Sequence, residues 1–357
     1  MNEPQTELTD ALAQAEGYLI QGQEEAALDL LRRLAEDAEE YVDKNCSATN
    51  EVQWFSFPTA FEKLAYRRIE GDPRELRDLG EPLDRLYNDL AIAAVHTGDY
   101  DEAKAALKSA VRWNPMDCAA RLNLADLYKI DGNMDEYLGL SFSVFERASD
   151  PRHLVRAFVN FSAWFQVSEK PRVSAACLRA AQLLDVKDSS LDAAVDQAAG
   201  TDRDPAGVAE SEVRGILANE GLPCGGNAEV AACLLICASN AARAGEKNDA
   251  ASFTLRARDL VGEPAAMSLL RAIQAAEAEE LAGASGADVA VDSEEAAAQG
   301  RDAAERAAAG TADPAVAASA APAAAADAEG ASVVAGADGA PAAPAAPAAP
   351  ADAKDGE

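Results

Sequence analysis

Apolar residues recur three and four positions apart along most of the chain, which is the spacing of one helical face. The pattern is clearest in residues 84–117, where two such stretches are separated by Gly98. The apolar positions of this segment mix large and small side chains: Tyr87, Leu90, Ala91, Ala103, Leu107 and Ala110. Alanine at a helix crossing lets two helices approach closely, while the larger side chains fill the space beside them. The segment therefore predicts a hairpin of two antiparallel helices.

Residues around the turn predict where the two helices begin and end. Gly98 can end the first helix, because glycine adopts the left-handed backbone conformation at little cost. Asp99 can cap the second helix, with Glu102 three residues later completing a pair that resembles a capping box. Pro115 then stops the second helix, since proline cannot continue one.

The same layout recurs elsewhere in the chain. Windows 8–41 and 118–151 place small residues, large residues and a turn glycine at the same offsets. Two weaker pairs of helices are predicted in 152–184 and 228–261, and residues 264–280 read as a closing helix. Repetition at a fixed period is typical of stacked helical repeats, whose terminal units are often atypical.

Two regions interrupt this repetition. Residues 45–83 form an aromatic-rich insertion, for which we expect a helix over 58–69 and a second short helix beginning at Asp72. The aromatic residues concentrated in this insertion are Trp54, Phe55, Phe57, Phe61 and Tyr66. Residues 187–226 are rich in Asp and Gly and predict two short helices with a loop. The many aromatic side chains of the insertion at 45–83 must be covered by other parts of the protein.

The C-terminal residues, 281–357, differ in composition from the rest. They contain 35 alanines, six prolines and no aromatic residue, so they have little apolar surface to offset the entropy of ordering. We expect a disordered tail. The predicted organisation is an N-terminal repeat (1–44), the insertion (45–83), further repeats (84–186), a linker with a C-terminal helical pair and capping helix (187–280), and the tail (281–357).

Charge and cysteine usage restrict the function classes. The formal net charge of −31 argues against binding to nucleic acid or an anionic membrane, since both require clustered Lys and Arg. The six cysteines are scattered without framework spacing, which is typical of reduced thiols. The N-terminal residues show no secretory pattern and no apolar run approaches a membrane span. We expect a cytoplasmic protein.

The segment from Asp84 to Asp117 resembles the tetratricopeptide repeat, departing from it at Ala94, where a tyrosine is usual. Residues 54–184 also resemble a widespread, poorly characterised group of bacterial repeat proteins, in which a repeat ends in an Arg-Trp-Asn-Pro run, here residues 112–115. The resemblance implies an all-α fold, a tetratricopeptide-type solenoid of helical hairpins. It also implies a concave groove, lined by the first helix of each hairpin, that binds a protein or peptide of unknown identity.

The resemblance further indicates which residues face this groove. They are Arg85, Asn88, Ile92, His96, Leu122, Asn123, Asp126, Lys129, Phe158, Phe161 and Phe165. The set combines hydrogen-bonding groups with an aromatic strip, which suits an extended or helical peptide. The same aromatic residues also fit a buried core, and the insertion could lie across the groove. Asn123 matches one position of the clamp by which some relatives bind a C-terminal carboxylate, but Ile92, Phe158 and Ser162 do not match the others.

No catalytic or metal site is predicted. His96 and His153 are the only histidines, and both fit surface or packing positions better than a proton-transfer role. Cys233 and Cys237 lie four residues apart but lack the further ligands that zinc requires. We therefore expect a non-enzymatic scaffold without a cofactor. The alternatives are a regulatory peptide-binding solenoid, for which no effector domain is evident, and an enzyme with an active site at the insertion.

Overall fold

The computed structural model describes residues 7–284. Most of the predicted tail, from residue 285 onward, lies outside this range. The elements in chain order are α1 (Glu7–Ile20), α2 (Glu24–Asn45), β1 (Val52–Phe55), α3 (Ala60–Glu70), β2 (Glu75–Asp78), α4 (Leu83–Thr97), α5 (Tyr100–Trp113), α6 (Cys118–Ile130), α7 (Met134–Arg147), α8 (Pro151–Val167), α9 (Pro171–Leu183), α10 (Ser189–Ala198), α11 (Glu210–Ala218), α12 (Ala228–Ala244), α13 (Lys247–Val261) and α14 (Glu263–Ala284).

The predicted helical pairs are all present in this range. α1–α2, α4–α5, α6–α7, α8–α9 and α12–α13 each form a hairpin, and the second helix of a hairpin packs against the first helix of the next in α2–α4, α5–α6 and α7–α8. The capping predictions also hold, since Asp99 accepts a hydrogen bond from the Glu102 amide and Gly98 is left-handed with φ 81°. The fold is thus mostly helical, as expected. The two short helices predicted in 187–226 are α10 and α11.

The insertion is not purely helical, which corrects the prediction. Its helix forms as α3, capped by Thr59. The second helix expected at Asp72 is absent, and β2 follows instead, paired in parallel with β1 so that Val52 lies opposite Glu75. The Asp72 carboxylate accepts a hydrogen bond from the Arg74 amide, which turns the chain into an extended strand. The Glu75 amide then donates to the Glu51 carbonyl at 2.8 Å.

Two hydrophobic cores hold these elements together. The first lies among α1, α2, α4, α5 and one side of α6 and contains Leu31, Leu86 and Leu107, all fully buried. The second and larger core joins the insertion, α6–α9 and the C-terminal helices. Through it the chain folds back on itself, because α12 packs against α3 and α13 reaches α8.

The contact between the insertion and the C-terminal hairpin is partly aromatic. The ring centres of Phe61 in α3 and Phe253 in α13 lie 6.2 Å apart. The Arg256 guanidinium lies 5.2 Å from the Phe61 ring centre and donates to the Ser149 hydroxyl at 2.5 Å. Phe61 of the insertion is therefore covered by a hairpin from the far end of the described chain.

Candidate functional site

The first helices of the four consecutive hairpins can be aligned by the left-handed residue that follows each of them. These turn residues are Gly22, Gly98, Gly132 and Glu169, with φ between 56° and 81°. Counting back from them identifies equivalent positions on α1, α4, α6 and α8. Six residues before the turn stand Glu16, Ile92, Asp126 and Ala163; nine before stand Ala13, Asp89, Asn123 and Asn160; thirteen before stand Thr9, Arg85, Ala119 and Arg156.

Equivalent polar residues connect neighbouring first helices. Between α1 and α4, Arg85 Nε donates to Glu16 Oε1 at 2.7 Å. Between α6 and α8, Arg156 Nη2 donates to Asp126 Oδ2 at 2.9 Å and to Asn123 Oδ1 at 2.7 Å. In both junctions an arginine thirteen residues before its turn meets an acidic residue six before the preceding turn. We call the surface that contains these contacts the first-helix face.

The middle junction, between α4 and α6, is built differently. Asn88 Nδ2 donates to Asp117 Oδ2 at 3.1 Å, and Asp117 also caps α6 by accepting from the Ala120 amide. The arginine position of α6 is Ala119 and the acidic position of α4 is Ile92. This junction therefore lacks the ion pair found on either side of it.

Two carboxyl groups on α4 are buried beside the first-helix face. Asp84 and Asp89 are only 8% and 7% exposed. Burial raises the pKa of Asp84 to about 6, with the Asp117 charge adding to the shift, while hydrogen bonds from the Arg85 amide and Ser56 oppose it. Burial, followed by repulsion from Glu16, raises the pKa of Asp89 to about 7, and Arg85 opposes this shift.

The sequence predictions for this face are only partly reproduced. Arg85, Asn88, Ile92 and Asp126 are half-buried, His96 and Lys129 are exposed, and Asn123 is buried at 7% exposure but bonded to Arg156. The predicted aromatic strip is wrong as an accessible surface. Its members and Leu122 are buried: Leu122, Phe158, Phe161 and Phe165.

The burial of the aromatic strip follows from the number of helices around α8. The Phe158 and Phe161 rings lie 4.8 and 5.9 Å from the Phe145 ring of α7, and Phe165 lies 6.3 Å from Phe161. α9, α10 and α13 also pack against α8. The alternative reading of these residues as core is therefore the one that the structure supports.

His153 lies near the same face, close to Arg156. Its Nδ1 is buried and has no hydrogen-bond partner among the described residues. Burial lowers the pKa of His153, against the attraction of Asp150 and Asp117. Burial thus favours the neutral form of this side chain, as it would for a packing residue. His96 in contrast is exposed at the end of α4.

Sequence reasoning did not anticipate a polar cleft of about 430 Å³ between α3, α7 and α12. It is lined by Arg68, Ile69, Glu70, Glu146, Arg147, Asn227 and Glu229. Its charges pair with one another, since Arg68 contacts Glu229 and Arg147 donates to Glu70 at 2.5 Å. The cleft is thus lined by ion pairs where the insertion meets α7 and the C-terminal hairpin.

Neither a cluster of metal-ligating side chains nor a membrane-spanning helix occurs within residues 7–284. There is no group of three or more His, Cys, Asp or Glu side chains in this range that could hold a metal ion. Cys233 is buried, which raises the pKa of its thiol to about 12, and Cys237 is half-buried beside it. None of the helices in the described range is long and apolar enough to cross a bilayer.

Comparison with protein-family models, curated proteins and solved structures gave no match.

Proposed function

We propose that the chain is a non-enzymatic interaction scaffold that holds a peptide or protein segment on the first-helix face. The observation that carries the proposal is the recurrence of half-buried charged side chains at two equivalent positions, an acidic residue on α1 and α6 and an arginine on α4 and α8. Glu16, Arg85, Asp126 and Arg156 have 30–50% of their side-chain surface exposed. Groups of this kind are held in place by their neighbours yet still offer donors and acceptors to a ligand.

The chemistry of this face suits recognition of a main chain better than catalysis. Carboxylate, amide and guanidinium groups at fixed spacing can bond the amides and carbonyls of an extended segment. The exposed residues His96 and Lys129 lie toward the C-terminal ends of α4 and α6. They extend the face beyond the ion-paired residues. The resemblance to tetratricopeptide repeats, whose first helices line a peptide groove, agrees with this assignment.

Because the aromatic strip is buried, the proposed partner is held mainly by polar contacts. Such interfaces gain specificity from matched hydrogen bonds, because an unmatched buried polar group is costly. A partner that offers only an apolar helix face would fit this surface poorly.

The proposal is tested by site-specific photocrosslinking in an extract of the organism that encodes the chain. A photoreactive amino acid is placed at His96 or Lys129 on the first-helix face. Matched controls carry it at Asp101 on α5 and Asp135 on α7, which are exposed second-helix positions. All four sites are exposed, so the substitutions should leave the melting temperature unchanged.

We expect a discrete crosslinked partner from the two first-helix positions, competed away by excess unlabelled chain. The control positions should give no such adduct. Equal labelling from both sets of positions, or no saturable adduct from His96 and Lys129, would contradict the proposal.

A further inference from the structure

The four consecutive first helices end with the same backbone geometry. After α4, the Gly98 amide donates to the Val95 carbonyl at 3.1 Å and the Asp99 amide donates to the Ala94 carbonyl at 2.8 Å. The same two hydrogen bonds, counted from the turn residue, close α1, α6 and α8. The side chain two positions before the turn therefore leaves each helix in an equivalent direction. These side chains are Ile20, His96, Ile130 and Val167.

This position carries the most exposed large apolar residues in the described part of the chain. Ile20, Ile130 and Val167 are 87%, 66% and 78% exposed, and His96 is exposed as well. Single exposed apolar residues are ordinary on a protein surface. Isoleucine and valine at an exposed helix end gain no burial, however, and they favour the helix less than many polar residues do. Three of them at one position of a repeated hairpin therefore indicate a binding surface. Together with His96, we call them the helix-end row.

A second copy of the chain is a poor occupant of the helix-end row. Each copy carries a formal net charge of −31, so two copies repel one another. Four side chains also offer less surface than the roughly 800 Å² that each partner contributes to a stable protein–protein interface. The row instead suits a narrow, uncharged segment that crosses the ends of the four first helices.

The chain contains such a segment in residues 341–350, which lie outside the described range. Their sequence is Pro-Ala-Ala-Pro-Ala-Ala-Pro-Ala-Ala-Pro, and no charged residue occurs between Asp338 and Asp352. Proline at every third residue favours the polyproline II helix, which has three residues per turn. In that conformation the four prolines share one side of the segment.

The spacing of the prolines matches the spacing of packed helices. At a rise of about 3.1 Å per residue, prolines three residues apart recur about every 9 Å along a polyproline II helix. The axes of packed helices lie roughly 8–10 Å apart, and α1 packs against α4 as α6 packs against α8. Between these pairs, α4 is joined to the start of α6 by the hydrogen bond from Asn88 to Asp117. Four prolines therefore suit the four positions of the row in succession.

The covalent linkage is long enough for this contact. Residues 285–340 connect the end of α14 at Ala284 to Pro341. A linkage of this length spans up to roughly 190 Å, several times the radius of gyration of about 19 Å expected for a folded domain of this size. Tethering raises the effective concentration of the segment at the row, so that weak apolar contacts suffice to hold it.

We propose that residues 341–350 lie across the helix-end row as a polyproline II segment, with one proline against each of Ile20, His96, Ile130 and Val167. The proline rings remove the exposed apolar surface of the row from water, which favours the contact. The inference needs no external partner and goes beyond the proposed function. Because His96 also belongs to the first-helix face, the segment competes there with a bound peptide.

The contact is tested with the purified full chain, which carries a photoreactive amino acid at His96. After irradiation and digestion, we expect mass spectrometry to find position 96 crosslinked to the peptide that contains residues 341–350. The yield should not fall on dilution, because the contact is intramolecular. The control probe replaces Asp37, an exposed residue of α2 away from the turn, and should give little of this product. No crosslink from position 96, or equal yields from the two positions, would overturn the proposal.

The row residues are tested by substitution in the same full chain with the probe at position 96. Ile20→Gln, Ile130→Gln and Val167→Gln together remove the apolar surface, and glutamine retains a good helix propensity. We expect this variant to lose the crosslink while its melting temperature stays unchanged. Leu255→Gln on α13 removes an exposed apolar residue outside the row and should keep the crosslink. A crosslink that survives the three substitutions would overturn the proposal.

The spacing of the prolines is tested by insertion. One alanine inserted after Ala346 rotates the last two prolines by a third of a turn relative to the first two, with almost no change in composition. We expect a lower yield of the crosslink from position 96. The same insertion after Ala325, outside the proline run, should leave the yield unchanged. Equal yields for the two insertions would overturn the match between prolines and helix ends.

Failure of this inference is distinguishable from failure of the proposed function. The purified chain contains no partner, so its crosslinks report only on residues 341–350, whereas an adduct formed in the extract adds the mass of a second protein. Loss of the first product alone would overturn the inference and leave the scaffold proposal standing. Where both products form, deleting residues 341–350 should raise the yield of the partner adduct at His96, because the competing segment has been removed.

Discussion

Gly226 lies directly against Leu260, so that a β-carbon on Gly226 would stand 2.4 Å from Leu260 Cγ and 2.8 Å from its carbonyl oxygen. This approach lets the loop before α12 pass the end of α13. We expect Gly226→Ala to destabilise the protein by about 1–3 kcal/mol, because the backbone oxygen cannot move aside without shifting α13. A urea titration followed by circular dichroism measures the change.

The neighbouring glycine provides the control for this prediction. A β-carbon on Gly225 would meet no atom within 4 Å. Gly225→Ala should therefore leave the stability unchanged or raise it slightly, by restricting the unfolded chain. Similar losses of stability for the two variants would mean that the close approach to Leu260 is not what excludes a β-carbon at position 226.

Asp89 should make the stability depend on pH. Its pKa is raised to about 7 in the folded protein from 3.8, so the folded state holds more protons than the unfolded state between these values. The free energy of unfolding contributed by Asp89 is therefore highest at low pH and falls as the pH rises toward 7. The Asp89→Asn variant lacks this loss. Its free energy of unfolding, relative to that of the wild type, should therefore increase between pH 5 and pH 8 by on the order of 1–3 kcal/mol.

The measurement is a set of urea titrations of both proteins at pH 5, 6, 7 and 8. Comparing the two removes the contributions of groups that do not interact with Asp89, including His153; Asp84, whose charge adds to the raised pKa of Asp89, contributes to the difference. A difference in unfolding free energy that stays constant across this range would contradict the assigned burial of Asp89.

The helix crossing within the α4–α5 hairpin should be sensitive to side-chain size. Ala103 is fully buried and Ala105, two residues on, is exposed. Ala103→Leu is expected to cost roughly 1–3 kcal/mol, since added methylenes must be accommodated in a packed crossing. Ala105→Leu should change the stability by less than about 0.5 kcal/mol. Equal shifts of the urea midpoint would contradict the packing of α5.

Glycine at position 169, in the turn after α8, should stabilise the protein. Glu169 has φ 56° in the position where the other three first helices are followed by glycine. The left-handed conformation costs a residue with a β-carbon about 1–2 kcal/mol, so Glu169→Gly should raise the melting temperature. Glu169→Ala keeps the β-carbon and should not. Thermal melts of the two variants decide the point, and a gain for alanine alone would exclude backbone strain as the cause.

The helical hairpins could be predicted because their signals are local. The spacing of Ala103, Leu107 and Ala110, with Gly98 before them, is enough to place α5 and its turn. The β1–β2 pair could not be predicted in this way. Each strand is four residues long, and the partner that makes Val52 part of a sheet is Glu75, beyond the whole of α3.

The positions of the candidate site residues along the helices could be predicted from the sequence, but which of them are exposed could not. Arg85 and Asn88 lie on the first-helix face as the helical period requires, whereas part of the cover over α8 comes from α13, about ninety residues later. Arg156 was missed for a different reason. The turn residues Gly98 and Gly132 are 34 apart, but Gly132 and Glu169 are 37 apart, so a constant period puts α8 out of register. Position 169 has no glycine to mark the turn, so the register of α8 is visible only from the left-handed backbone of Glu169 in the structure.

The return of the C-terminal hairpin onto the insertion bears on how the protein folds. Linear repeat arrays can begin folding at any unit and extend from it, because each unit contacts only its neighbours. Here Arg68 on α3 pairs with Glu229 on α12 across 161 positions of sequence. Closing so long a loop is entropically costly and is expected to slow the rate-limiting step. The described part of the chain should consequently unfold as one cooperative unit, and fragments ending before α12 should leave the apolar surface of α3 open to aggregation.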